Sequence, residues 1–136
     1  MSEEIYYADA TELAKRIRAK AISPVEVVEA HLARIEAANP KINAVVCLAD
    51  DALDQARKAE AVVMGGGSLG VLHGVPFTIK DCIDTQGLKT TRGSKLFEDY
   101  VPSADAPVVK RLKEAGGIFI GHTNMPEFAF WWETGN

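Results

Sequence analysis

The sequence is short of the features that mark nucleic-acid-binding, membrane and secreted proteins. Its 15 Lys and Arg residues are outnumbered by 19 Asp and Glu residues and are dispersed, so the chain has no basic field for a phosphate backbone. No stretch approaches the roughly 20 apolar residues that a membrane span requires. The N-terminus is acidic and lacks the basic start and apolar run of a secretory signal. We therefore expect no direct nucleic-acid partner and no membrane association.

Cysteine is also scarce. Cys47 and Cys82 lie far apart, and neither belongs to a CxxC motif or to a Cys/His group with ligand spacing. This pattern predicts reduced thiols in a cytoplasmic protein and argues against a structural zinc site. The three histidines are isolated as well, which indicates surface positions or hydrogen-bonded core positions rather than metal ligands. We expect neither a metal nor a cofactor.

Helical signals dominate the first half of the chain. Asp9 and the carboxylate three residues later resemble a capping box, and Leu13 and Ile17 repeat at a helical interval. Residues 23–26 (Ser-Pro-Val-Glu) predict the start of a second helix, which Asn39-Pro40 is expected to stop. Residues 51–64 return to helical spacing after a short strand-like run at 42–48. The sequence therefore predicts a helical region over residues 1–64.

The second half alternates strand and helix patterns. Residues 75–79 and 118–120 are apolar and strand-like, and between them a helix is predicted over 106–115 with Asp105 as its cap. A strand, a crossover helix and a second strand imply a parallel pair in an α/β sheet. The glycine-rich stretch 65–74 lacks the Gly-Lys-Ser/Thr ending of a phosphate loop and is predicted to be a structural loop. It separates the helical region from an α/β region over 71–136.

Lys80 is the strongest candidate for a catalytic residue. It ends an apolar strand, where parallel α/β sheets place ligands and reacting groups. A lysine that loses hydration there has a lowered pKa and can serve as a general base. The alternative is a strand-end lysine that pairs with Asp81 or Asp84.

Aromatic residues are concentrated near the C-terminus, where Phe128, Phe130, Trp131 and Trp132 fall within five positions. Such a cluster is typical either of core packing or of the wall of an apolar ligand pocket. On composition alone, core packing is the more common outcome.

The order of the motifs resembles the amidase signature family over nearly the whole chain. Residues 70–81 (GVLHGVPFTIKD) look like the lysine segment of that family, and residues 87–94 (GLKTTRGS) and 101–106 (VPSADA) resemble its continuation. Residues 112–117 (LKEAGG) and 121–128 (GHTNMPEF) then follow in the same order. The resemblance implies an α/β fold, with helices packed on a mixed, partly parallel sheet, and residues 1–136 as the N-terminal portion of one amidase domain.

The resemblance also implies a mechanism. Lys80, by motif match, would relay a proton through a serine in a cis peptide to a nucleophilic serine that attacks an amide carbonyl. Phe130 and Trp131 would line the acyl side of the substrate pocket, which favours a small hydrophobic or aromatic amide as the substrate. No cofactor is implied, and a homodimer of the complete protein is a further expectation.

The sequence departs from the family in one respect. Its five serines, Ser2, Ser23, Ser68, Ser94 and Ser103, do not lie in the glycine-serine segments that carry the family's serines. We therefore expect the chain to be a poorly stable N-terminal portion that is inactive alone. Two alternatives remain: a non-catalytic binding module, and a part of the amidase-like component of a tRNA-dependent amidotransferase. The acidic balance and residues 92–94 favour the simple hydrolase.

Overall fold

The structure, a computed structural model, describes residues 5–135. Four α-helices, three strands and two short 3-10 helices follow one another along this part of the chain. In chain order the elements are α1 (Ala10–Arg18), α2 (Pro24–Ile42), β1 (Val45–Leu48), α3 (Ala52–Met64), β2 (Pro76–Lys80), a 3-10 helix (Lys95–Phe97), α4 (Pro107–Glu114), β3 (Ile118–Thr123) and a second 3-10 helix (Glu127–Ala129). None of the helices within residues 5–135 is long and apolar enough to cross a membrane.

The start of α2 confirms the predicted capping box. The Ser23 hydroxyl accepts a hydrogen bond from the Glu26 amide at 3.0 Å, and the Glu26 carboxylate accepts one from the Ser23 amide at 2.8 Å. The start of α1 is simpler, because Asp9 Oδ1 accepts from the Glu12 amide without a reciprocal bond being formed among the described residues. Each cap supplies a partner to backbone N–H groups that have none inside the helix.

The predicted end of α2 is wrong, because the helix passes through Pro40 and ends at Ile42. Proline costs the hydrogen bond that its missing N–H would make, but here the loss falls in the last turn, where the helix is about to end. Asn43 adopts a left-handed conformation with φ 47° and donates its amide to the Asn39 carbonyl at 2.7 Å. The Asn39 side chain then bonds both backbone polar groups of Val45, which fastens β1 to the helix end.

The three strands form a mixed sheet in the order β1-β3-β2. β2 and β3 are parallel, as the strand-helix-strand pattern predicts, and β1 is antiparallel to β3. β3 lies in the centre, and its run Ile118–Ile120 is buried throughout, which is typical of a strand covered on both faces. The prediction of an α/β fold with helices on a mixed, partly parallel sheet is confirmed.

The core consists of two apolar clusters. The larger one joins the sheet to α2, α3 and α4 and includes Val28, Ala56, Ile79, Val109 and Ile120. The smaller one joins α1 to the start of α2, the end of α3 and the residue before β2; its buried members are Leu13, Ile17, Ile22, Val27, Val63 and Val75. The helical and α/β regions of the sequence therefore share core residues, while their division at the glycine-rich stretch stays a prediction.

The prediction that Asp105 caps α4 is wrong. The N-cap residue is Ala106, which offers no side-chain hydrogen bond, and Pro107 occupies the first turn. Proline needs no amide partner there, so the helix can begin without a polar cap. The Asp105 carboxylate instead accepts the Gln86 amide at 2.8 Å and pairs with Lys113 at 2.8 Å. It thus ties the long crossover loop to α4.

Candidate active site

Lys80 is the last residue of β2 and lies opposite Thr123, the last residue of the parallel strand β3. The carboxyl ends of both strands therefore meet at one edge of the sheet, as the sequence predicts for a reacting group in a parallel sheet. The Lys80 side chain is exposed, and within residues 5–135 it forms no ion pair. The loss of hydration expected from the sequence is not observed in this part of the chain.

The alternative of a Lys80 pair with Asp81 or Asp84 is also not observed, because both carboxylates have other partners. Asp84 accepts a hydrogen bond from Arg92 at 3.1 Å and another from the Tyr100 hydroxyl at 3.1 Å. Asp81 is 2% exposed and accepts the Thr91 amide at 3.0 Å. Its second oxygen accepts a short hydrogen bond from the Thr91 hydroxyl. The Lys80 ammonium is thus left available at the sheet edge.

His122 is the most deeply placed polar side chain of this region, with 0% of it exposed. Its Nδ1 lies 2.9 Å from the Lys89 carbonyl oxygen and 3.2 Å from Asp81 Oδ1, and its Nε2 lies 3.0 Å from the Thr85 hydroxyl. Burial lowers the pKa of His122, against the opposing pull of the Lys89 carbonyl and the Asp81 carboxylate. The ring is therefore a hydrogen-bonded core histidine whose burial favours the neutral form, and a core position is one of the two outcomes that the sequence leaves open.

Arg92 organises the turn that follows. It has a positive φ of 54°, and its amide donates to the Asp81 carbonyl at 2.8 Å. Its guanidinium lies 4.5 Å from the centre of the Phe97 ring and 5.0 Å from that of Tyr100. A positive charge over aromatic faces is favourable, so these contacts hold the loop against the 3-10 helix.

Ser94 connects the loop to the last part of the chain. Its hydroxyl, which is buried, donates to Glu127 Oε1 at 2.6 Å. The Phe128 amide donates to the Arg92 carbonyl at 2.9 Å, which adds a backbone connection between the same two segments. Sequence reasoning missed this connection, because the partners are more than thirty positions apart and the two motifs that contain them do not show that they meet in space.

The aromatic residues near the C-terminus are exposed, so the expectation of core packing is wrong for them. Phe130 is 83%, Trp131 57% and Trp132 78% exposed, and the two tryptophan rings stack with centroids 4.0 Å apart. Phe128 makes edge contacts with rings on both sides, Phe97 and Phe130. The segment 128–132 therefore presents an exposed aromatic cluster.

A shallow cavity of about 350 Å³ lies beside the loop and includes Asp81, Thr91, Ser94 and Asn124 in its lining. Lys80, Phe130 and Trp131 do not belong to that lining. The structure therefore places Lys80 at the expected sheet edge without bringing it and the aromatic residues into this cavity. In the described part of the chain, no group of three or more His, Cys, Asp or Glu side chains is arranged to hold a metal ion.

Known proteins resemble this chain over most of its length. A family model described as Amidase matches residues 26–136. The chain is 49% identical over 127 residues to the indoleacetamide hydrolase of Bradyrhizobium diazoefficiens, covering 93% of this chain and 24% of that protein. It is 46% identical over 134 residues to a glutamyl-tRNA(Gln) amidotransferase subunit of Carboxydothermus hydrogenoformans, covering 98% of this chain and 28% of that protein. The chain thus spans about a quarter of the length of the curated relatives it matches.

Solved structures show the same similarity in three dimensions. A bacterial aryl acylamidase of the amidase signature enzymes superposes with a TM-score of 0.87 at 31% sequence identity, over 93% of this chain and 27% of that one. Because the family model covers most of the chain, and close relatives and the shared fold agree with it, the chain belongs to the amidase signature family.

Proposed function

We propose that this chain forms the lysine-bearing part of an amide hydrolase, in which Lys80 is the base of a Ser-Ser-Lys mechanism. The observation that carries the proposal is the position of Lys80 at the carboxyl end of the parallel pair, where it forms no ion pair among the described residues. A base that accepts a proton must have its amine free of a fixed carboxylate partner, and Asp81 and Asp84 are bound elsewhere.

In the proposed reaction, Lys80 takes a proton from a bridging serine, which in turn takes the proton of the nucleophilic serine. The nucleophile attacks the amide carbonyl, the proton that Lys80 took passes to the leaving nitrogen, and the amine or ammonia leaves. Water then cleaves the acyl-enzyme and restores the nucleophilic hydroxyl. Ser23 and Ser94 are not suitable nucleophiles, since one caps α2 and the other is buried against Glu127. None of the five serines lies in a glycine-serine segment of the kind that carries the family's serines, so we expect no hydrolysis by the chain alone.

Phe130 and Trp131 are proposed to contact the acyl part of the substrate. Their large exposed apolar surfaces support this role, because exposed aromatic clusters commonly mark ligand or protein contacts. Similarity to a protein named for indoleacetamide hydrolysis also favours an aromatic amide.

The sharpest test is a chimera in which the matching quarter of the indoleacetamide hydrolase is replaced by this chain. We expect the chimera to hydrolyse indoleacetamide and the Lys80→Ala chimera to lose about 100- to 10,000-fold in kcat, the range for removing a general base. The control is Lys110→Ala, which removes an exposed lysine of α4. A Lys80→Ala chimera with unchanged kcat would refute the assignment of the base.

The isolated chain provides a second test over a panel of aliphatic and aromatic amides. We expect no turnover with Lys80 or with Lys80→Ala. If turnover is present and disappears in Lys80→Ala, the chain supplies its own nucleophile, and the expectation of inactivity is wrong.

A second candidate function is a part of the amidase-like component of a tRNA-dependent amidotransferase, favoured by the 46% identity to a protein of that name. Co-purification of a complete protein carrying this chain with a second amidotransferase component would support it. A non-catalytic binding module, a homodimer and a cytoplasmic location remain predictions from the sequence.

A further inference from the structure

The buried polar residues of the described chain are concentrated immediately after Lys80. They are Asp81, Thr85, Thr90 and Ser94, and a fifth buried polar residue, His122, joins them from β3. Burying polar groups is costly unless each finds a hydrogen-bond partner, and in residues 5–135 no buried side-chain nitrogen or oxygen lacks one. A satisfied polar cluster of this kind fixes the positions of its members closely.

The partners of His122 determine where its proton lies. Nδ1 faces two acceptors, the Lys89 carbonyl at 2.9 Å and Asp81 Oδ1 at 3.2 Å, so Nδ1 must carry the hydrogen. Nε2 lies 3.0 Å from the Thr85 hydroxyl, whose other contact is the Ile83 carbonyl at 3.3 Å. Because burial disfavours a charged ring, Nε2 is the acceptor, and the single Thr85 hydroxyl hydrogen points to Nε2, the nearer of the two. The neutral Nδ1–H tautomer satisfies every one of these contacts of the ring.

We propose that His122, as the neutral Nδ1–H tautomer, is a positioning residue for Lys80 that acts by holding Asp81 and the loop 85–94 against the end of β2. That the positioned residue is Lys80 rests on the proposed function. That His122 fixes Asp81 and the loop 85–94 does not rest on it.

The contacts of His122 act on Lys80 through Asp81, the residue that follows it. The Asp81 amide donates to the Thr123 carbonyl at 3.1 Å, and the Asp81 carbonyl accepts the Arg92 amide at 2.8 Å. Its carboxylate accepts the Thr91 amide at 3.0 Å and faces His122. The backbone after Lys80 is thereby fixed, and the adjacent carboxylate is kept from pairing with the ammonium.

Charged and titratable groups approach His122 from each element around it. Asp81 follows β2, Cys47 pairs with His122 in register from β1, and Lys89 lies in the loop with its ammonium on Asp99. From α4, Lys113 lies over the Phe119 ring, which packs edge-on against His122. Asp81 is the carboxylate in contact with the ring. Its charge raises the pKa of His122 by less than burial lowers it.

The test uses the isotopically labelled chain and two matched variants. Ring ¹⁵N shifts at about neutral pH should show a protonated Nδ1 and an unprotonated Nε2 for His122. In His122→Asn the amide nitrogen occupies the place of Nδ1 and keeps a donor, whereas in His122→Gln it reaches only the Nε2 side. We expect exchange of the Thr91 and Arg92 amides to accelerate more than about tenfold in His122→Gln and clearly less in His122→Asn.

The control is His73→Gln, which removes a ring that bonds the Ala59 carbonyl outside this cluster and should leave the Thr91 and Arg92 amides unchanged. An Nε2–H or charged ring in the unmodified chain would overturn the proposal. So would equal acceleration in both His122 variants, or absence of protection at Thr91 and Arg92 in the unmodified chain.

The active chimera adds a catalytic readout. His122→Gln should lower kcat by more than about tenfold with a smaller change in KM, and His122→Asn should restore part of kcat. Unchanged kcat would overturn the positioning of Lys80. If the chimera does not hydrolyse amides, the proposed function fails. The ring ¹⁵N shifts and amide exchange still test whether His122 fixes Asp81 and the loop 85–94.

Discussion

At the scale of single residues, His122 makes the stability of the chain dependent on pH. Burial lowers its pKa in the folded state below the value of about 6.5 that it has when unfolded. As the pH falls, His122 therefore binds a proton in the unfolded chain before it does so in the folded chain. The contribution of the neutral His122 to the free energy of unfolding is fully present above about pH 6.5 and decreases below it.

We predict a larger fall in the urea midpoint of the native chain than of His122→Asn between about pH 7.5 and about pH 5.5. The difference arises because asparagine has no titrating group at this position. Chemical denaturation followed by circular dichroism measures it. Identical pH profiles for the two proteins would contradict this assignment of the titrating group.

Two buried threonines offer a matched comparison. Each hydroxyl lies close to the carbonyl two residues before it, Thr85 at 3.3 Å from Ile83 and Thr90 at 3.2 Å from Leu88. The Thr85 hydroxyl also lies 3.0 Å from His122 Nε2, to which it donates its hydrogen in the neutral Nδ1–H tautomer. Thr85→Val leaves the buried Nε2 of His122 without a donor, at a cost of about 1–3 kcal/mol.

Thr90→Val should cost less, because it removes a local bond from a backbone carbonyl only. The free energies of unfolding of the two variants at neutral pH provide the measurement. A Thr90→Val variant as unstable as Thr85→Val would show that the contact with His122 contributes nothing of its own.

At the scale of elements, helix ends illustrate how far local patterns reach. The caps at Asp9 and Ser23 follow the sequence because donor and acceptor lie within three residues. The predictions made from Pro40 and Asp105 do not agree with the structure. The end of α2 lies beyond Pro40, and the Asn39 side chain there bonds β1. Asp105 accepts the Gln86 amide and pairs with Lys113 rather than capping α4.

The meeting of β1 with β3 depends on Gly121. A Cβ atom at this position would lie 2.4 Å from the Cys47 carbonyl oxygen and 3.2 Å from Leu48 Cα, and φ is +157°. Both neighbouring strands show register irregularities near the residues that they pair with Gly121. Glycine is therefore needed here for close approach of the backbones.

We predict that Gly121→Ala destabilises the chain by about 1–3 kcal/mol, the usual cost of forcing extra atoms into a packed region. Gly135→Ala is the control, since an added Cβ there meets nothing within 4 Å. Thermal or urea unfolding measures both. Equal stability of the two variants would mean that β1 can move away from β3 without cost.

At the scale of the whole molecule, the aromatic segment 130–132 is a large apolar surface that the described chain does not cover. The chain has two tryptophans, and both lie in this segment, so their fluorescence reports on it alone. We predict emission close to that of a free tryptophan derivative, and efficient quenching by acrylamide.

Binding of an aromatic amide in the proposed pocket, or covering by the rest of an amidase domain in the chimera, should shift this emission to shorter wavelength. Trp131→Phe separates the two rings as reporters. Emission at short wavelength from the isolated chain would show that residues 130–132 are buried, against the structure.

The sequence by itself determined the family, the α/β class, the starts of α1 and α2 and the place of Lys80 at a strand end, because short-range patterns and ordered motifs encode these features. Only the tertiary structure decided which groups surround that lysine. The Asp81–His122 contact joins residues 41 positions apart, and Ser94 meets Glu127 across 33. Exposure of Phe130 and Trp131 was likewise undecidable locally, since burial depends on what lies opposite a side chain and not on its own apolar character.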